Sequence, residues 1–376
     1  MRTIQVVNVR WYNATAWYGV TLADCLQQAG HETIVAGLSG TPPLDAARKR
    51  GLNTAALPFN ANFPTDIARC WHGMHALVKD FKPDVVNCHR GEAFILWALL
   101  KKKYGFALVR TRGDRRLPKN GFVNRWLYCG VSDAVIATNS LMARHLSDVM
   151  GVPHEKLYTI LGGVDTHRFR PDAAQRSQMR RAYGYDDEDV VMGLLGRMDE
   201  VKGIRETIIA LAKAKAIDQR ARKLKLLIIG FESQHSAQDV AQWSQENGLG
   251  PLGDAVKVTG RVGMPEAVIN ALDFGILASL GSEAIARAAL EIMASGVPLI
   301  SSTTGVMPDL IPGAFSFHPG DTMAMARRMI AMLDADCREE LAGICGARIS
   351  SGKLRLSDFL EETLAVYGRI TGQDPA

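Results

Sequence analysis

Short apolar runs alternate with amphipathic stretches along the whole chain. In the first half, runs at 3–9, 32–37, 85–88, 107–111, 134–138 and 157–161 predict strands, and the stretches 18–29, 64–81 and 140–150 predict helices. The second half repeats the pattern. Its predicted strands are 190–195, 224–230, 256–259, 274–278 and 299–302, and its predicted helices are 204–216, 237–247, 265–271, 284–294 and 322–334. Strands that alternate with helices pair in parallel and are covered on both faces, so each half predicts a Rossmann-like, doubly wound α/β domain. The Gly-rich segment 161–171 ends in Pro171, and the polar residues that follow to Asp189 read as a connection between domains. Residues 1–168 are then a first domain and 169–353 a second, facing a central cleft. The last segment carries Leu356, Leu360, Leu364 and Tyr367 along one face, so 354–372 is expected to pack back onto the first domain.

Composition narrows the class. A chain of 376 residues is long enough for two cores, and 47% hydrophobic with 22% charged residues is the balance of a globular protein. No apolar run reaches the ~18 residues that span a bilayer. The start Met1-Arg2-Thr3-Ile4 reads as a strand and not as a leader, so a cytoplasmic location is expected. Six cysteines without a Cys-x-x-Cys pair read as reduced thiols. The net charge of +5 is unevenly spread: nine Lys/Arg and one acid, Asp114, lie between Lys101 and Arg125. That cluster is a solvated basic face, or a surface for an anionic acceptor or the anionic inner face of the cell membrane. Nucleic acid is not expected, because the cluster lacks the interleaved aromatics of single-strand binders.

Ligands of open parallel sheets sit at the carboxyl ends of strands, beside helix N-termini. Strand 190–195 runs into Gly196-Arg197 and then Lys202-Gly203, two cations placed to hold a diphosphate. Glu283 and Glu291 stand eight residues apart where loop passes to helix before Gly296-Val297-Pro298. On one helix that spacing is about 12 Å of rise, with the second carboxylate two turns in. Carboxylates so placed grip the hydroxyls of an elongated ligand, and the helix N-terminus takes a phosphate. Arg261, in the loop after 256–259, would face a nucleobase. In the first half His89, Arg112 and Asp114, and the loop residues Trp17, Tyr18 and Gly19, follow strand ends. His89 is either a core histidine or a site group, and Trp17 and Tyr18 either stack on a sugar ring or form core. No Gly-x-Gly-x-x-Gly follows the first strand, which excludes a dinucleotide oxidoreductase. The triplets Asp187-Glu188-Asp189 and Asp334-Ala335-Asp336 lie away from strand carboxyl ends and read as surface acids, so no metal site is expected.

These motifs together resemble the retaining glycosyltransferases of GT-B architecture in the large group 1 family, family four. Leu161-Gly162-Gly163-Val164-Asp165 through Phe169 and Pro171 is similar to the family's Asn-Gly-Val-Asp-x-x-x-Phe-x-Pro signature. Gly196-Arg197-x4-Lys202-Gly203 matches its donor-diphosphate motif, and Glu283-x7-Glu291 with Gly296-Val297-Pro298 matches its paired-glutamate segment. The resemblance implies that Arg197 and Lys202 hold the diphosphate, with Gly19 near the phosphates and Arg261, Ser282 and Ala284 lining the donor site. Glu283 would bind the transferred sugar, Glu291 the ribose, and His89 would lie at the reacting centre. Trp17, Tyr18, Arg112 and Asp114 would meet a glycan or glycolipid acceptor. It also implies a nucleoside-diphosphate sugar as co-substrate, no other cofactor and no metal. Glu283-Ala284-Ile285-Ala286 replaces the usual Glu-Gly-Phe-Gly, and Arg112 replaces a histidine common at that strand end. A sugar-nucleotide 2-epimerase on the same fold and a non-catalytic glycan-assembly protein are the competing expectations.

Overall fold

The computed structural model describes residues 1–60, 63–114, 116–281 and 283–373. The chain divides into two compact units. Met1–Gly162 and the segment from Leu356 onward form the first, and Gly163–Arg355 forms the second.

The first unit contains β1 (Arg2–Val7), α1 (Ala14–Gln28), β2 (Glu32–Gly37), α2 (Pro42–Lys49), β3 (Asn53–Ala56), α3 (Pro64–Phe81), β4 (Val85–Cys88), α4 (Phe94–Tyr104), β5 (Ala107–Arg112), α5 (Phe122–Arg125), β6 (Ala134–Ala137), α6 (Ser140–Arg144) and β7 (Leu157–Thr159). The strands lie in the order β3-β2-β1-β4-β5-β6-β7, and all pairings are parallel. Alternation along the strands sorts the core. Ile4, Val6 and Ala36 join Met74, Trp97 and Leu127 in one cluster, whereas Val7 and Val35 join Ala16, Val20 and Leu44 in another.

The second unit contains α7 (Ala173–Ala182), β8 (Val190–Leu195), α8 (Ile204–Ile217), β9 (Leu224–Ile229), α9 (Ala237–Glu246), β10 (Val256–Val258), α10 (Pro265–Ile269), β11 (Phe274–Leu277), α11 (Arg287–Ala294), β12 (Leu299–Ser302), α12 (Met307–Leu310), β13 (Ser316–Phe317), α13 (Thr322–Ala331) and α14 (Ala335–Ser351). Its parallel sheet has the order β10-β9-β8-β11-β12-β13. The final helix α15 (Leu356–Thr371) belongs to the first unit. There the Tyr367 hydroxyl accepts from Gln5 Nε2 at 3.3 Å and Asn87 Nδ2 at 2.9 Å. Those bonds satisfy two amides buried in the middle of strands.

Three sequence expectations need correction. The polar residues before Asp189 are not a plain connection: α7 lies there, capped by Asp172. Its Arg176 and Arg180 both grip Asp273, at 2.6 and 3.0 Å. The helix expected at 284–294 begins only at Arg287, because Ala286 adopts a left-handed conformation, φ 47°. Glu291 therefore stands about one turn into α11, and Glu283 precedes it on a loop. Asp334 does not end a helix run but caps α14, accepting from the Asp336 amide at 3.1 Å.

Each sheet reverses its strand order once, between β1 and β4 in the first unit and between β8 and β11 in the second. Such switch points open a crevice at the strand carboxyl ends.

Candidate functional site

At the second unit's switch point, β8 ends at Leu195 and β11 at Leu277. Gly203 starts α8 with φ 67°, and a Cβ there would come within 2.1 Å of Ala278 O. Glycine thus lets the N-terminus of a fourteen-residue helix press against the end of β11. Lys202, just before it, donates to Glu283 Oε1 at 2.5 Å, and Ser279 Oγ donates to the same oxygen at 2.5 Å. Glu283 is 6% exposed. Its backbone is fixed from the other side: Val306 N donates to Glu283 O at 2.8 Å, and Gly305, φ 62°, has no room for a Cβ against that carbonyl. Ser302 and Thr304 hydroxyls donate to Ser279 O at 2.7 and 2.8 Å, fixing the β11 end.

Around this pair lie two more that share a form. Arg197, half exposed, pairs with buried Asp199 at 2.6 Å. Arg287 pairs with Glu291 at 3.0 Å. Burial pushes the Glu291 carboxyl above its ordinary range, while Arg287 and Arg168 pull it down. Arg261 lies 4.0 Å over the Phe231 ring, and both line a cavity of about 720 Å³ with Met198, Lys257 and Thr259. Ala284 is half-buried, and Ser282 lies outside the described residues. A cation paired once, near a surface, can change partner when an anion arrives. Lys202 and Arg197 can take phosphate oxygens, and Glu283 and Glu291 then accept from hydroxyls. Asp199, Ser279 and Arg287 were missed from sequence. Only Arg287 left a signal there, the i,i+4 spacing to Glu291.

The first unit treats its expected site residues differently. His89 is fully buried, with Nε2 3.0 Å from Gln5 Oε1 and Nδ1 unpartnered. Burial, with Arg110 nearby, lowers its pKa to about 3, so the ring is neutral. Fully buried and bonded to Gln5, His89 takes the core-histidine place of the two expected for it. Gly19 sits inside α1, where a Cβ would lie 2.6 Å from Val7 Cγ2 and 3.0 Å from His89 Cδ2, so it serves helix–strand packing. Tyr18 is core rather than a sugar platform: its hydroxyl donates to Ile160 O at 3.1 Å and its ring packs on Phe359, 4.6 Å between centroids. Trp17 stays half-buried. Arg112 is buried and donates to Asp114 Oδ2 at 2.7 Å and Arg116 O at 2.6 Å. Asp114 also accepts from Arg90 at 3.0 Å, and Arg110 Nη2 stands 3.9 Å away. Arg112 and Asp114 are thus parts of an inward-facing cluster. Arg90 and Arg110, its other members, were not foreseen as site residues.

Among the described residues no group of three or more His, Cys, Asp or Glu could hold a metal. None of their helices is long and apolar enough to cross a membrane.

Two doubly wound units, one with a Lys–Glu pair and exposed arginine at its switch point, define the class, and the comparisons agree with it. Residues 189–335 match the model described as glycosyl transferases group 1, and residues 16–168 match that of glycosyltransferase family 4. The chain belongs to this glycosyltransferase family. Among relatives, it is 27% identical over 246 residues to a D-inositol 3-phosphate glycosyltransferase of Stackebrandtia nassauensis, covering 63% of this chain and 54% of the relative. The chain spans about half the length of the first curated relatives it matches. Among solved structures, a glycosyltransferase from Rickettsia africae has TM-score 0.86 at 18% identity, covering 99% of both chains. Anabaena HepE in complex with UDP and glucose has TM-score 0.79 at 17% identity, covering 98% of this chain and 100% of that one. At such identities the structural likeness concerns the fold.

Proposed function

We propose that this protein transfers a sugar from a nucleoside-diphosphate sugar to a glycan or lipid-linked glycan acceptor, with retention at the anomeric carbon and without a metal. The observation that carries the reading is the Lys202–Glu283 pair at the β8/β11 switch point. A diphosphate that takes Lys202 and Arg197 frees Glu283, already held by Ser279, to accept from donor-sugar hydroxyls. Glu291 receives ribose hydroxyls, and the cavity under Arg261 receives the base. The bond from C1 to the diphosphate oxygen breaks, and a bond from C1 to the acceptor oxygen forms. The acceptor proton leaves with the diphosphate. Negative charge gathers where two cations and the α8 N-terminus stand, so they stabilise the transition state more than the ground state. The HepE complex with UDP and glucose makes UDP-glucose the first donor to try.

The test is calorimetric titration of UDP into wild type and the Lys202→Ala/Glu291→Ala double variant. Each lost charge-assisted bond is worth about 1.5–3 kcal/mol, so the double variant should bind at least a hundredfold more weakly. Equal affinity would sink the assignment. The anomeric configuration of the product, read by NMR, checks retention, and undiminished turnover in excess EDTA checks metal independence.

The acceptor reading includes work at the inner face of the cell membrane. Of the nine cations between Lys101 and Arg125, Arg110 and Arg112 are turned inward, Lys101 pairs with Asp133 at 2.7 Å, and Arg115 lies outside the described residues. The exposed remainder is Lys102, Lys103, Arg116, Lys119 and Arg125. Phe122, 86% exposed, and Trp126, 45% exposed, stand beside them on one helical turn. That pairing suits an anionic lipid surface. Sedimentation with phosphatidylglycerol vesicles should carry the protein down, and Phe122→Ser/Trp126→Ser should leave it in solution. A supernatant that holds the wild type would remove the membrane from the reading.

A further inference from the structure

The first unit has its own switch point, between β1 and β4, and a cavity of about 600 Å³ opens there. Asn8, Arg10, Trp11, Asn13, Arg90 and Glu92 line it. Its electrostatics are lopsided. Four arginines lie in or just behind it, Arg10, Arg90, Arg110 and Arg112, against two acids, Glu92 and Asp114. Both acids are already engaged: Glu92 takes Arg90 at 2.7 Å, and Asp114 takes Arg90 and Arg112. Arg10 is exposed, with no ion-pair partner among the described residues. Two polar atoms on nearly fully buried side chains lack a hydrogen bond, Asn8 Oδ1 on the cavity wall and Arg110 Nη2 behind it. Arg110 Nη1 donates to two backbone carbonyls and Asp114 stands 3.9 Å from Nη2, so what the buried Nη2 lacks is a hydrogen-bond acceptor, which a ligand can supply. Trp11, 72% exposed at the rim, offers a flat apolar face of the kind that stacks on a sugar ring.

We infer that this cavity recognises an acceptor sugar bearing an anionic substituent, a phosphate or a carboxylate. The anion lies between Arg10 and Arg90, Asn8 and Asn13 meet ring hydroxyls, and Trp11 covers the ring. The word acceptor rests on the transferase reading above, whereas anion recognition rests on the cavity alone. A neutral sugar would leave the positive excess uncompensated.

Titration calorimetry of the full chain at low salt, with methyl glucoside, glucose 6-phosphate, glucuronate and inorganic phosphate, tests it. Both anionic sugars should bind at least tenfold more tightly than methyl glucoside. The tighter of the two says whether phosphate or carboxylate is the better fit. Arg10→Gln should erase most of the preference, and raised salt should shrink it. Trp11→Ala should weaken both anionic sugars and leave inorganic phosphate unchanged, which separates ring stacking from charge. Equal binding of methyl glucoside, or no binding of either anionic sugar, overturns the inference. UDP titrated into the same samples reports the second unit separately. UDP binding without sugar discrimination defeats this inference alone, and sugar discrimination without UDP binding defeats the transferase reading alone.

Discussion

The two switch points share a topology and share almost nothing in how they hold charge. At the second unit's switch point three cations each have one acid partner and lie at least partly open: Lys202 with Glu283, Arg197 with Asp199, Arg287 with Glu291. In the first unit Arg110 and Arg112 are buried, Asp114 is shared by three guanidiniums, and His89 is sealed in neutral form. A singly paired, partly open cation can be handed to a ligand when the ligand's anion replaces the old partner and its hydroxyls satisfy the released carboxylate. A charge buried with several fixed partners cannot be handed over without leaving a partner uncompensated. The first arrangement is a binding device and the second is scaffold, with the exposed Arg10 and half-open Arg90 in front of it.

Breaking the scaffold should therefore give the largest effect on stability and none on the donor. Arg112→Ala leaves Asp114 with fewer partners, and loss of one side of a buried pair costs about 3–5 kcal/mol. The denaturation midpoint should fall steeply while UDP affinity in the surviving folded protein stays within twofold. A variant that loses UDP affinity as well would erase the distinction between the two regions. Gly305→Ala should be comparably severe, since a Cβ would lie 2.0 Å from Glu283 O at φ 62°. Gly320→Ala is the control. It has φ 80° and open space around it, so only the conformational cost of about 1–2 kcal/mol remains.

Next in size is the exchange of partners itself. Lys202→Ala should weaken UDP about tenfold to a hundredfold, the loss of one charge-assisted contact. It also strips a 6%-exposed carboxylate of its cation, so the unliganded protein should lose some stability. Lys202→Ala/Glu283→Gln should restore part of that stability without restoring UDP affinity. Recovery of both would mean that Glu283, not the diphosphate, is the main reason for Lys202.

Much of this arrangement was legible in the chain. Eleven of the thirteen described strands followed from their apolar runs, whereas β3 (Asn53–Ala56) and the two-residue β13 (Ser316–Phe317) are too short and too weakly apolar to stand out. The Gly196–Gly203 and Glu283–Glu291 segments pointed to the β8/β11 crevice because they follow strand ends. The helix α7 was not legible, because it is polar nearly all round and only Arg180 is buried along it. Ion pairs to Asp273, about 90 residues away in sequence, hold it instead of an apolar stripe. The helix α14 hid for a similar reason, since its buried stripe is only Leu341, Cys345 and Ile349. Arg110 and Arg112 were counted with the surface cations because sequence distance carries no depth. They alternate along the last residues of β5, a strand flanked by β4 and β6 on both sides. Tyr18 and His89 misled in the same way. A strand-end position places a residue near the crevice, but Gly19 lets α1 close over His89.

A smaller effect than the loss of a scaffold charge is expected on the pH dependence of stability, and it tests how completely His89 is sealed. Its folded pKa, about 3, lies below the ordinary unfolded value near 6.5. The unfolded chain therefore binds the proton first, and stability falls as pH falls. The contribution is complete above pH ~6.5 and is lost progressively towards pH ~3, at up to about 1.4 kcal/mol per pH unit. Between pH 6.5 and 5 the loss from this one ring is then about 1.6 kcal/mol. His89→Gln removes the titrating group, so its stability should fall less over that interval, by about the same amount. Denaturant titrations at the two pH values compare the slopes. Equal slopes would show that His89 protonates in the folded state, and that the first unit's switch point is more open than its packing implies.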